Sequence, residues 1–180
     1  MDIGKIVFTA LAGMLLLGLA FMAMQALPKP PVAIFAYGSN LAKSAMNARA
    51  GGFLNATAAR LPGFSLAFAV QDSRPAEFGV ATPVWNGSAS VDGALYYLTP
   101  GQLSALDKQS DAPDFYKRAK VKVELPDGSI ADAQAYFLAG NVHDQAPSRP
   151  YYLAVQAGMK EWGYDASSLD GAVADAAGPN

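Results

Sequence analysis

The stretch Phe35-Ala36-Tyr37-Gly38-Ser39-Asn40-Leu41 holds residue types that could do chemistry together. A short apolar run ends there in a glycine followed by two small polar residues. Glycine directly after a buried strand lets the backbone bend and expose consecutive N–H groups. Those of Gly38, Ser39, Asn40 and Leu41 would point outward at a helix N-terminus, where aligned peptide dipoles favour a carboxylate or a developing oxyanion. The simpler reading is an ordinary strand-to-helix turn, with Ser39 and Asn40 capping the helix that follows.

Other chemistries are excluded by what the sequence lacks. There is no cysteine, hence no disulfide, thiol nucleophile or thiolate metal site. The single histidine, His143, argues against a His-rich metal centre or a Ser-His-Asp triad. It lies in the polar run Gly140–Gln145 and reads as exposed, and Glu77 reads as a surface carboxylate. A net charge of -2, with no basic run longer than Lys117-Arg118, argues against a nucleic-acid partner bound through phosphates.

The elements that must position the Tyr37–Leu41 loop can be read from pattern. Val32–Tyr37 is a buried strand, and Asn40 starts a helix that runs to Arg49 and breaks at Gly51-Gly52. Phe53–Arg60 and Phe64–Val70 read as two strands joined by a turn at Leu61-Pro62-Gly63. Phe78–Trp85 and Val91–Leu98 are two more, separated by Asn86-Gly87-Ser88. Thr99-Pro100-Gly101-Gln102 has capping-box spacing and opens a helix to about Gln109. Tyr116–Leu125 and Ile130–Leu138 flank Pro126–Ser129 as a hairpin. A last helix spans about Pro150–Trp162. The aromatic set Tyr96, Tyr97, Tyr116 and Phe137 reads as core, and Asp107 as a cap or a solvated carboxylate. Strands outnumber helices without alternating with them, so the class is α+β.

Before this domain, residues 6–27 form a run of 22 without a charge. At about 1.5 Å per residue this spans about 33 Å, enough for a hydrocarbon core of about 30 Å. The Pro28-Lys29-Pro30-Pro31 linker ends it. A cleaved signal peptide fits less well, because no small-x-small site follows the apolar run. The expected organisation is therefore a single-pass membrane anchor and linker over residues 1–31, a domain over 32–164, and a disordered tail over 165–180. The side of the membrane and the oligomeric state are left open by the sequence.

Tyr37-Gly38-Ser39-Asn40-Leu41 after a short apolar strand resembles the signature of the γ-glutamylcyclotransferase and AIG2-like superfamily. The resemblance extends in order through Leu61–Phe64, Gly79–Thr82, Gly93–Pro100, Leu106-Asp107, Tyr116–Arg118 and Pro147–Tyr151. It implies a small mixed β-barrel with flanking helices, and a lyase or acyltransferase activity without metal or organic cofactor. In that activity a γ-glutamyl compound cyclises to 5-oxoproline: its own α-amine attacks the γ-carbonyl and expels an amine or amino acid. Carried over by motif, Tyr37, Gly38, Ser39, Asn40 and Leu41 would hold the γ-glutamyl group, and Tyr151 would line the pocket.

The family also places a glutamate general base in a Leu-Asp-x-x-Glu-Gly-x-Pro segment. Here the segment reads Leu106-Asp107-Lys108-Gln109-Ser110-Asp111-Ala112-Pro113, so the base position falls on Ser110 and the family's glycine on Asp111. A serine hydroxyl does not take an amine proton near neutral pH unaided. General-base catalysis contributes about 10²–10⁴-fold, so its loss separates two readings. One is a membrane-anchored cyclotransferase with an altered base, Asp111 being the candidate substitute. The other is a catalytically silent module that binds γ-glutamyl or small acidic compounds.

Overall fold

The computed structural model describes residues 29–178. The expected membrane anchor at 6–27 lies outside them, and among the described residues no helix is long and apolar enough to cross a membrane. Strand β1 (Val32–Ala36) is the hub, as its apolar sequence requires. It pairs antiparallel with β3 (Val80–Leu98) through Ile34↔Tyr96, and parallel with β5 (Ile130–Leu138) through Ile34↔Gln134. Ladders on both edges leave β1 no solvated side, and Ile34, Phe35 and Ala36 are buried.

The remaining pairings close the sheet. β5 pairs antiparallel with β4 (Tyr116–Glu124) across the expected hairpin, from Glu124↔Ile130 to Tyr116↔Leu138. β4 meets β2 (Asn55–Gln71) at Arg60↔Glu124, and β2 returns to β3 along its length. The circuit β3-β1-β5-β4-β2-β3 is a mixed five-stranded barrel, with short β6 (Val142–Asp144) added on β2. Closure leaves little unpaired edge. The Tyr164 hydroxyl donates to the carbonyls of Ala59 (3.1 Å) and Gly93 (2.9 Å), tying β2 to β3 from outside.

Two expected turns prove to be irregularities within long strands. Leu61-Pro62-Gly63 does not reverse the chain; it lies within β2 at a register shift, where Pro62↔Ser90 is followed by Phe64↔Trp85. Asn86–Ala89 is the matching excursion in β3. The two turn signals sit opposite each other, so both strands bend at one level and continue. The first helix also differs from expectation. α1 (Lys43–Ala50) begins after Ala42, which makes no side-chain cap, and Asn40 caps nothing. By contrast α2 (Pro100–Gln109) carries the full Thr99/Gln102 capping box. α3 (Arg149–Glu161) starts at Ser148, whose hydroxyl accepts from the Tyr151 N–H.

The tail reading needs correction. Residues Ser167–Ala176 form a helix, α4, packed on β2, with Leu169 fully buried and Ala172 nearly so. Leu169, Ala172, Val173 and Ala176 recur at helical spacing and make a narrow apolar stripe, and alanine-rich sequence pays little to be helical. Low apolar bulk hid a periodic pattern. Leu169→Ala is expected to lower the stability of the full-length chain by about 2–5 kcal/mol in urea titration. A change below about 0.5 kcal/mol, the range of surface substitutions, would show that α4 does not pack.

Candidate active site

A cavity of about 310 Å³ opens at the end of β1. Its floor is the loop Tyr37–Asn40, and its walls come from distant parts of the fold. Arg49 reaches in from α1, Ser110 from the end of α2, Tyr116 and Tyr136 from β4 and β5, and Tyr151 from the first turn of α3. These residues are distant in sequence, and only barrel closure brings them together.

The loop keeps donors free without relying on a helix terminus. Leu41 N–H turns back to the Gly38 carbonyl at 2.9 Å, whereas the N–H groups of Gly38, Ser39 and Asn40 have no protein acceptor among the described residues. Three adjacent free donors bordering a cavity make a nest suited to an oxyanion or carboxylate. Gly38 is needed for close approach, since a Cβ there would lie 3.1 Å from the Ala81 Cβ and 3.2 Å from the Tyr151 hydroxyl.

Leu41 is a correction. It does not line the cavity but is fully buried in the core, and its carbonyl accepts from Tyr96 (2.7 Å) and Trp162 (2.9 Å). Both of its backbone polar groups are committed, so it anchors the loop from behind. Tyr37 does border the cavity, yet its hydroxyl donates to the Tyr136 carbonyl and is itself wall structure.

Arg49 escaped the sequence reading, which saw it only as the end of a helix. Its Nη1 donates to Ser39 Oγ at 2.8 Å and to Asn40 Oδ1, holding the loop open toward the cavity. Among the described residues no carboxylate lies within ion-pair distance of it. A half-buried guanidinium without a carboxylate partner has the charge and donor geometry to hold a carboxylate. No local pattern marks that role: the long Arg49 side chain runs back along α1 to the loop before it, as side chains on a helix lean toward its N-terminus.

The tyrosines close the other side. Burial first, then the neighbouring Tyr151, raises the Tyr37 hydroxyl pKa well above the ordinary phenol value. Tyr116 is raised by burial, then by Tyr151 and Tyr37. These two stay protonated around neutral pH and serve as hydrogen-bond donors, not bases. Tyr116 was expected in the core, but it lines the cavity and donates to the Ala81 carbonyl at 3.1 Å. Ala81 N–H donates to the Tyr151 hydroxyl at 3.2 Å. Buried Gln71 fixes the Phe115 side of the wall, donating to the carbonyls of Asp114, Phe115 and Ala139.

Ser110 sits in the cavity wall as the C-cap of α2, so the base position of the family motif faces the site with a hydroxyl. Asp111 borders the cavity in the left-handed region at φ 46°, which explains why the motif carries glycine there. Its carboxylate is 61% exposed and paired with Arg74, so the cavity does not have it as a free acceptor. Asp107 is neither a cap nor solvated. It is three-quarters buried, paired with Arg118 Nε at 2.8 Å, and accepts from the Tyr136 hydroxyl at 2.7 Å. His143 is exposed on Asp72, as expected, and Glu77 is exposed. Among the described residues no group of three or more His, Cys, Asp or Glu could hold a metal ion.

A barrel of this topology, with a loop of free backbone donors after its first strand, defines a class that comparison with known proteins identifies. Residues 34–154 match the family model described as gamma-glutamyl cyclotransferase, AIG2-like, and the chain belongs to that family. It is similar to bovine gamma-glutamylcyclotransferase, 29% identical over 133 residues that cover 72% of this chain and 70% of the relative. A solved structure of a gamma-glutamyl cyclotransferase is 25% identical with a TM-score of 0.67, covering 83% of this chain and 88% of its own. A human protein of solved crystal structure shares the fold at 24% identity and a TM-score of 0.67, over 84% and 89% of the two chains.

Proposed function

We propose that this protein cyclises the γ-glutamyl group of a small-molecule substrate to 5-oxoproline, releasing an amine or amino acid. The observation that carries the reading is the set of free N–H groups at Gly38, Ser39 and Asn40 bordering a cavity that also holds Arg49. The nucleophile is the substrate's own α-amine. The protein therefore has to fold the substrate back on itself, stabilise the oxyanion that forms on the γ-carbonyl oxygen, and move one proton. The nest supplies the second requirement. Arg49 serves the first by holding the substrate carboxylate, and Tyr151 and Tyr116 limit the space in which the glutamyl chain can extend. No step calls on a cofactor.

The test is 5-oxoproline release by the full-length chain over a panel of γ-glutamyl amino acids and γ-glutamyl amines. Arg49→Met removes a charge-assisted contact of about 1.5–3 kcal/mol, so KM is expected to rise roughly ten- to hundredfold. An unchanged KM would remove Arg49 from the substrate site. The second reading, a catalytically silent binding module, is favoured by Ser110 alone. Binding of a γ-glutamyl compound without 5-oxoproline release would establish it.

The reading includes a membrane tether. Its support is the uncharged run of 22 residues at 6–27, followed by the proline-rich linker. Recovery of the full chain in a carbonate-washed membrane fraction is expected, and release into the supernatant would remove the tether.

A further inference from the structure

The family motif's base position holds Ser110, and the cavity has no free carboxylate to replace it, yet one carboxylate stands a single hydroxyl away. Tyr136 is 6% exposed and lines the cavity together with Ser110, and its hydroxyl donates to Asp107 Oδ1 at 2.7 Å. Asp107 is held in turn by Arg118 Nε at 2.8 Å, and Arg118 Nη1 also donates to Gln134 at 2.6 Å. One carboxylate oxygen, Asp107 Oδ1, thus meets both a fixed cation and the hydroxyl of a tyrosine that lines the cavity.

Resting on the cyclotransferase reading, we infer that Tyr136 and Asp107 together take the proton that Ser110 cannot: Tyr136 receives it from the substrate, and Asp107 acts through Tyr136. As the α-amine nitrogen bonds to the γ-carbonyl carbon, its proton passes to Tyr136 Oη while the Tyr136 hydroxyl proton passes to Asp107 Oδ1. The carbonyl π pair moves onto oxygen, facing the Gly38–Asn40 donors. On collapse the bond to the leaving nitrogen breaks. That nitrogen takes a proton from Tyr136 while Asp107 returns one, so both groups end as they began.

The concerted form matters. Burial first, then hydrogen bonding to Asp107, pushes the Tyr136 pKa far up, with Arg118 and the Ser110 hydroxyl offsetting part of the shift. A free tyrosinate is therefore not an intermediate, and the phenol works only by giving up one proton as it gains another. The groups facing Tyr136 from the elements around it are Asp107 and Ser110 from α2, Arg118 and Tyr116 from β4, and Tyr37 from the end of β1.

The test is steady-state kinetics of the full-length protein on the best substrate of the γ-glutamyl panel. Tyr136→Phe and Asp107→Asn are each expected to lower kcat by about tenfold to a hundredfold, with KM changed less than about twofold. Asp107→Asn is also expected to abolish the acidic limb of the kcat–pH profile, because an amide has no proton to accept or lose. A purely structural role would not move that limb. Asp107→Glu, which keeps a carboxylate, is expected to retain it. The proposal is overturned if the limb survives in Asp107→Asn, and equally if it vanishes in Asp111→Asn instead. Wild-type turnover that neither Tyr136→Phe nor Asp107→Asn reduces defeats the relay and leaves the cyclotransferase reading standing. A wild type that releases no 5-oxoproline defeats both.

Discussion

Ser110→Glu is expected to raise kcat for 5-oxoproline release by about 10²-fold. Ser110 already faces the cavity, so a glutamate there places a carboxylate among Gln109, Tyr136 and Tyr151 without moving the backbone. A direct acceptor contributes about 10²–10⁴-fold over none, and the lower end applies because the Tyr136–Asp107 pair supplies part of the effect. The cost is small. A negative charge at the C-terminal end of α2 opposes the helix dipole by about 0.3–1 kcal/mol, well below the gain in transition-state stabilisation. Wild-type turnover that Ser110→Glu increases identifies an enzyme with a replaced base. Activity only in Ser110→Glu identifies a binding module that retained the scaffold of an enzyme. An unchanged rate would show that the site does not place its base where the family motif puts it.

The second large effect is on folding. Gly93→Ala is expected to destabilise the chain by about 3 kcal/mol, the upper part of the usual cost of overpacking. For a chain of this size that lowers Tm by roughly 6–12 °C. A Cβ at Gly93 would stand 2.4 Å from the Ala36 carbonyl oxygen and 2.5 Å from the Phe35 ring. The carbonyl cannot retreat, because β1 is laddered to β3 on one side and β5 on the other, with Ala36↔Ala94 in register beside the contact. Gly93 also supplies a carbonyl to the Tyr164 hydroxyl, so displacing this backbone strains the outer tie as well. Ala36 leads directly into the Tyr37–Asn40 loop, so residual activity at low temperature should fall with stability. A thermal scan that shifts by less than about 2 °C would mean the barrel yields at this point.

Much of the fold was legible because it is written in short-range pattern. The apolar β1 run, the Thr99/Gln102 capping box and the Pro126–Ser129 hairpin each depend on residues a few positions apart, and each formed as expected. The turn signals at Pro62-Gly63 and Asn86-Gly87 were read locally and misassigned. Whether such residues reverse a strand or bulge it depends on what lies opposite, and each lay opposite the other. The tail was misjudged by bulk composition, although Leu169, Ala172, Val173 and Ala176 keep a helical period.

For the site the division is sharper. The residue types and order of Tyr37–Asn40, and the serine at position 110, are properties of the chain itself. They carry the family resemblance without coordinates, because a motif is a local arrangement of side chains and backbone. Which groups face the cavity required the closed barrel. Arg49 enters the cavity and Leu41 leaves it; Asp111 turns out to Arg74, while Asp107 turns in to Tyr136. Adjacent residues in a loop or helix end diverge in direction, and only the packing of α2 against β4 and β5 decides which of the two carboxylates meets the phenol.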